Sequence, residues 1–310
     1  MKNIEPINQT HLFGLKKFIN QLIFLEKNEI LPNKILLTGQ KGIGKSTMAY
    51  HLINYVLSKD EDFPYDEDNL QINPKNYSFK TLINKSNQNF ILIDVSLDKK
   101  FIEINQIREM ILNLNKSSFN NKPRFVLIDN IEYLNLNSIN ALLKILEEPS
   151  KDIFFILINN NKKILPTISS RCINFKIFLT NEENISVANK LLDNQLYDFI
   201  NNDLLNYYST PGNIYHLIKF ANENEYDLSN ITLINFLKII LQNKHYKKNS
   251  YINYLFFDLI EFYFRKINKS LSLKIFDKYN YFIRRISETK KFNLDEDTLF
   301  IEIENEILNG

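Results

Sequence analysis

The chain has a single cysteine, Cys172, in 310 residues, which excludes an internal disulfide and any cysteine-rich zinc site. No zinc is expected, and a reducing cytoplasm is the expected location. Arginine and glycine are scarce beside abundant Asn, Ile and Lys, a bias of coding rather than of function. Charge of one sign is lacking too. The formal net charge is +2, so no strong basic field calls for nucleic acid as a direct partner. The opening, Met1 to His11, is polar and has no apolar core of a signal peptide. The most apolar run, Tyr251 to Phe264, is interrupted by Asn253, Asp258 and Glu261 and falls short of the roughly 20 residues that a membrane-spanning helix needs. No membrane partner is expected.

What remains is ordinary globular material, 44% hydrophobic and 24% charged. At about 150 residues per domain, the length allows two or three domains. Short apolar runs at Lys34–Thr38, Phe90–Val95, Phe125–Asp129 and Ile153–Ile158 read as strands buried on both faces of a parallel sheet. A fifth, Ile173–Phe178, alternates Ile173, Phe175 and Ile177 with Asn174 and Lys176, which suits a sheet edge. Amphipathic helices lie between them. Met48, Ala49, Leu52, Ile53, Val56 and Leu57 form one apolar stripe, and Ile104, Ile107, Ile111 and Leu114 another. A third helix spans Asn137 to Glu148 and stops before Pro149. This alternation predicts an α/β layered domain. The acidic, polar segment Lys59 to Lys75 reads as a surface loop. Beyond Phe178 the pattern is all-helical, with short helices to Asn222, a break at Thr210-Pro211-Gly212, and four helical blocks from Asn224 onward.

Gly39-Gln40-Lys41-Gly42-Ile43-Gly44-Lys45-Ser46-Thr47 matches G-x-x-x-x-G-K-[ST] in full, between a buried strand and an amphipathic helix. The glycines let the backbone curl so that its N–H groups face phosphate oxygens, and the helix N-terminus adds partial positive charge. Lys45 is expected to reach the β- and γ-phosphates of ATP or ADP, and the Ser46 hydroxyl to ligate Mg2+. Asp129, at the end of the third strand, is the second expected magnesium residue. Asn159 or Asn160, at the end of the fourth strand, is a candidate phosphate contact. Asn130 follows Asp129 where many such ATPases carry a glutamate base. An amide accepts no proton, so slow or absent hydrolysis is expected. Glu132 is not expected to replace that base.

The run Asn140-Ala141-Leu142-Leu143-Lys144-Ile145-Leu146-Glu147-Glu148-Pro149 resembles the hallmark helix of bacterial clamp-loader subunits. Ser169-Ser170-Arg171-Cys172 resembles that family's Ser-Arg-Cys segment, and Leu12-Phe13-Gly14 with Leu31-Pro32 resembles its opening. The resemblance runs from Leu12 to Cys172. It implies the AAA+ class, with three parts: a P-loop nucleotide-binding domain at 1–178, a small helical lid at 179–222 and a helical collar for oligomerisation at 223–310. It also implies that Arg171 is an arginine finger acting on a neighbour's nucleotide. The implied partners are the gamma/tau-type and delta-type subunits of DNA polymerase III in a five-membered hetero-oligomer, with the sliding clamp and, through the complex, primed DNA.

Two departures from the motor-type pattern favour the delta-prime kind within that family. Asn130 stands in the base position, and no arginine occurs between Arg171 and Arg265, where a motor subunit's sensor arginine is expected. Three alternatives stay open: a motor-type ATPase subunit, a P-loop kinase of small molecules, and a DNA-binding initiator or helicase loader.

Overall fold

The computed structural model describes residues 3–96, 99–116, 120–148, 152–205, 209–268, 273–292 and 294–309. The expected stop at Pro149 lies outside the described residues. By contact density the chain divides into two compact units, Lys2–Val187 and Ala188–Gly310.

The N-terminal unit is built on five parallel strands: β1 (Lys34–Thr38), β2 (Phe90–Ile93), β3 (Arg124–Ile128), β4 (Ile153–Asn159) and β5 (Ile173–Lys176). Their order across the sheet is β2-β3-β4-β1-β5, so the alternating strand does lie at an edge, but β2, read from its apolar run as buried on both faces, lies at the other edge with Leu92 exposed and only Ile93 buried. Registers are fixed by pairs such as Leu36 with Leu157, Val126 with Phe155 and Leu37 with Phe175. The near-continuous apolar runs are explained by the two faces they serve. Ile35, Leu37, Phe125, Leu127, Ile156 and Ile158 enter one core, while Leu36, Val126, Ile128, Phe155 and Leu157 enter the other.

The first core is capped by α1 (Lys16–Lys27), α2 (Lys45–Leu57) and the short α3 (Tyr77–Ile83), which supply Ile19, Leu22, Met48, Leu52, Ile53 and Phe79. The second is capped by α4 (Ile104–Leu114) and α5 (Leu136–Glu147), through Ile107, Met110, Leu142 and Leu146. The α5 helix begins at Asn135, whose side chain accepts the Ser138 N–H at 2.9 Å.

The segment Lys59–Lys75 departs from its reading as a surface loop. Tyr65, Leu70 and Ile72 are buried in the first core, and Gln71 bridges to both His11 and Asp66. The Tyr65 hydroxyl and the His51 ring on α2 meet at 2.9 Å, so the segment is laid over the helix rather than looped into solvent.

A short helix α6 (Pro166–Ser169) precedes β5, and α7 (Asn181–Leu192) follows it. The described residues of the C-terminal unit beyond α7 hold α8 (Pro211–Glu223), α9 (Leu233–Gln242), α10 (His245–Lys248), α11 (Ser250–Asn268), α12 (Leu273–Phe292) and α13 (Glu296–Asn309), and no strand. Thr210-Pro211-Gly212 breaks the preceding segment by starting a helix. Thr210 caps the Asn213 N–H, and Pro211 occupies the first turn, where no backbone donor is needed. Along Tyr251 to Phe264 of α11 no residue is exposed, as a helix apolar nearly all round requires. Its Phe256 and Phe257 pack on Phe300 of α13 with ring centroids 5.1 and 5.2 Å apart. No helix among the described residues is long and apolar enough to cross a membrane.

Candidate functional site

In a parallel sheet every strand points its carboxyl end to the same side, and ligands bind in the crevice there. The loop after β1, Asp94 after β2, Asp129 and Asn130 after β3, and Asn160 after β4 all fall on that side.

The loop is shaped by its glycines. Gly42 and Gly44 have φ of 85° and 95°, which other residues rarely adopt. Gly39 lies so close to β5 that a Cβ would sit 2.3 Å from the Ile177 carbonyl oxygen. Ile43 anchors the turn in the first core, and α2 then starts at Lys45 with Ser46 and Thr47 in its first turn.

Lys45 is buried. Its ammonium donates to the carbonyls of Gly39 (2.8 Å) and Gln40 (2.7 Å) and to Asn160 Oδ1 (2.9 Å). Burial pulls it from its ordinary value down to about 8, against the pull of Asp129 and Glu132. Lys41 is likewise lowered by burial, with Glu132 the leading opposing charge, then Asp129 and Asp94. A desolvated ammonium held by carbonyl dipoles in a concave loop suits an anion as its partner.

Ser46 Oγ donates to Asp129 Oδ2 at 2.5 Å. Burial pushes the Asp129 carboxyl up to about 6, opposed by that hydrogen bond, while the neighbouring Asp94 charge raises it further. A hydroxyl and a buried carboxylate in contact are a donor set that suits Mg2+. The residues present fit both a nucleotide's phosphates and its metal ion.

Asn130 adopts φ 57°, ψ 47°, a left-handed conformation that Asn tolerates better than most residues. Both ends of its amide are used: Nδ2 donates to Asp94 Oδ1 (2.8 Å) and Oδ1 accepts from Asn160 Nδ2 (2.8 Å). Asn160 Nδ2 also donates to Glu132 Oε1 at 2.9 Å. One hydrogen-bonded chain therefore joins the ends of β2, β3 and β4 to the loop lysine.

The two candidate asparagines separate. Asn159 is buried and closes a turn on Lys162, donating to its carbonyl and accepting its N–H; Asn160 alone bonds Lys45. Glu132, set aside in the sequence, and Asp94, unnoticed there, both belong to the site. Glu132 follows the third strand by a few residues, which was the available signal; Asp94 gave none, because the run Phe90–Val95 reads as strand throughout, whereas β2 ends at Ile93.

Arg171 lies away from the loop, just past α6. It pairs with Glu147 at the end of α5 (2.7 Å) and donates to the Thr167 carbonyl (2.9 Å). Such a partly exposed ion pair holds a side chain with roughly 1 kcal/mol or less, little enough for a competing anion to displace. Cys172 beside it is buried, and its thiol is pushed up to about 11 by burial, which leaves it unreactive.

The family described as DNA polymerase III, delta subunit, matches residues 14–180. DNA polymerase III subunit gamma of Buchnera aphidicola subsp. Schizaphis graminum is 40% identical over 97 residues, covering 31% of this chain and 26% of its own. DNA polymerase III subunit delta' of Buchnera aphidicola subsp. Baizongia pistaciae is 30% identical over 164 residues, 49% of this chain and 46% of its own. The chain thus spans less than half the length of either. The subunit delta' of Buchnera aphidicola subsp. Schizaphis graminum is 23% identical over 303 residues, 90% of this chain and 84% of its own.

Proposed function

The chain belongs to the DNA polymerase III delta-subunit family, and from that premise we propose that it is a clamp-loader subunit of the delta-prime kind. On this reading it holds ATP or ADP as a structural ligand, turns it over slowly, and lends Arg171 to a neighbouring subunit's nucleotide. Asn130 is the observation that carries it: at the place of a water-activating carboxylate stands an amide, already bonded to Asp94 and Asn160.

Gly39 to Thr47 would cradle the phosphates, Lys45 would exchange its carbonyl partners for them, and Ser46 with Asp129 would hold Mg2+. Bound magnesium would neutralise phosphate charge. The proposed parts at 1–178, 179–222 and 223–310 would be the nucleotide domain, a lid and a collar. The partners would be gamma/tau-type and delta-type subunits, and through them the clamp and primed DNA. A motor-type subunit is the second reading, favoured by the presence of Lys45, Ser46 and Asp129 together.

ATP turnover by the purified chain, alone and reconstituted with motor and delta subunits, tests the proposal. We expect slow turnover alone. In the complex, Arg171→Ala should lower clamp-loading ATPase about 1,000-fold at the site it serves, the lower end of what an arginine finger supplies, with nucleotide binding by this chain unchanged. Brisk turnover by the isolated chain that Asp129→Ala abolishes would favour the motor reading.

A further inference from the structure

The hydrogen bonds around Asn160 bear on which nucleotide the loop accepts. An asparagine beside a loop lysine aids a terminal phosphate by donating its amide N–H to it. Here both hydrogens of Asn160 Nδ2 are spent, one on Asn130 Oδ1 (2.8 Å) and one on Glu132 Oε1 (2.9 Å). The Asn160 backbone N–H points to Glu132 Oε2 as well, at 3.4 Å. The atom left facing Lys45 is the carbonyl oxygen Oδ1, an acceptor, which repels a phosphate oxygen.

The charge of Glu132 acts in the same direction. It is the foremost acidic neighbour of Lys41 and the second, after Asp129, of Lys45. Asp94 adds a third carboxylate, while Lys162 is the further basic neighbour. Each added phosphate brings more negative charge into this company.

We propose that Glu132, by its charge and by turning the Asn160 carbonyl toward Lys45, makes this site select a nucleoside diphosphate over a triphosphate. The inference rests on the nucleotide-binding reading above and sharpens it: the structural ligand is the diphosphate, and Glu132 is the specificity-determining residue.

Calorimetric titration of the full chain with Mg-ADP and Mg-ATP, at fixed ionic strength, tests it. The unmodified chain should bind ADP about tenfold more tightly than ATP, the order of one partly screened charge at short range. Glu132→Gln keeps an acceptor for Asn160 but drops the charge, and should cut the preference to about threefold or less. Glu132→Ala also frees the amide to turn, and should abolish or reverse the preference. Thermal melts establish that both variants are folded, and Lys45→Ala should bind neither nucleotide. Equal or tighter ATP binding by the unmodified chain overturns the inference, as does a ratio that both variants leave unmoved. Failure of both nucleotides to bind the unmodified chain overturns the nucleotide reading itself, and the inference with it.

Discussion

In the N-terminal unit the polar side chains that matter, Arg171 apart, converge on one place, the carboxyl ends of the strands, where Lys45, Ser46, Asp94, Asp129, Asn130, Glu132 and Asn160 are tied by hydrogen bonds of 2.5 to 2.9 Å. In the C-terminal unit the conspicuous residues are apolar and spent on burial. Phe256, Phe257, Phe264, Phe282 and Phe300 are all buried, and Tyr246 packs on Phe300 at 4.3 Å. The first unit uses backbone geometry to aim chemistry; the second uses ring area to hold helices together. Motifs announce the former because a loop that turns through positive φ tolerates few residues. The latter has no motif, since many apolar residues fill the same space.

The largest effect should come from the aromatic core. Phe300→Ala removes a ring that is 1% exposed and touches three other rings, and should cost about 3–5 kcal/mol. Urea denaturation followed by hydrogen exchange in α11 and α13 measures it. A loss below about 1 kcal/mol would mean that the unit collapses around the gap and that ring packing is not what holds it.

His51 should show the next effect, in the opposite unit and only in acid. The ring is fully buried, with Nε2 at 3.1 Å from the Gln9 carbonyl and Nδ1 at 2.9 Å from the Tyr65 hydroxyl. The Gln9 carbonyl only accepts, so Nε2 carries the proton and Nδ1 accepts from Tyr65. Burial lowers His51 from 6.5 to about 4, against the Gln9 hydrogen bond, and His11 lowers it further. The unfolded chain therefore takes up the proton first, and the stability contributed by neutral His51 is complete above about 6.5 and lost as pH falls toward 4. Up to about 3 kcal/mol is at stake. Asp129 works the other way, since its carboxyl is raised from 3.8 to about 6 and the folded chain keeps a proton that the unfolded chain releases across that interval. Chemical denaturation from pH 4 to 7 should thus show the stability advantage over His51→Gln shrinking as pH falls. A constant difference would break the assignment.

The comparison also explains what could be read beforehand. The three inner strands were legible because strands buried on both faces carry unbroken apolar runs, and β5 was legible as an edge because it does not; β2 was misread as buried on both faces, since its run Phe90–Ile93 is unbroken although it lies at the other edge. Gly39 to Thr47 was legible as a tight strand-to-helix loop because Gly42 and Gly44 take φ values that other residues rarely adopt. The packing of Tyr65, Leu70 and Ile72 was not, because three apolar residues scattered through an acidic stretch have no period. Helices α1 and α3 went unread too, and are held by tertiary packing of Ile19, Leu22 and Phe79. The choice between Asn159 and Asn160 turned on one residue. β4 runs through Asn159, which pairs with Thr38, so adjacent side chains point to opposite sides and only the second meets the loop lysine. No composition or spacing decides such parity; the length of a strand does.

The smallest effect compares a cap in each unit. Asn135 begins the α5 helix and accepts the Ser138 N–H at 2.9 Å; Thr232 begins α9 and accepts the Asn235 N–H at 3.5 Å. Removing a well-formed cap costs about 1 kcal/mol, and one at the edge of hydrogen-bonding distance contributes less. Asn135→Ala should therefore lower stability by about 1 kcal/mol and Thr232→Ala by a few tenths, each read from the urea midpoint at constant slope. The difference follows from what each helix must do. Helix α5 carries the run that leads to Glu147, the partner of Arg171, and its first turn is further fixed by Ser138 Oγ donating to the Ile102 carbonyl at 2.8 Å. Helix α9 is held by Leu233, Phe236, Leu237 and Ile240, all buried, whatever its first turn does. Equal costs for the two substitutions would mean that the polar contacts of the N-terminal unit are no more closely set than those of the helical one.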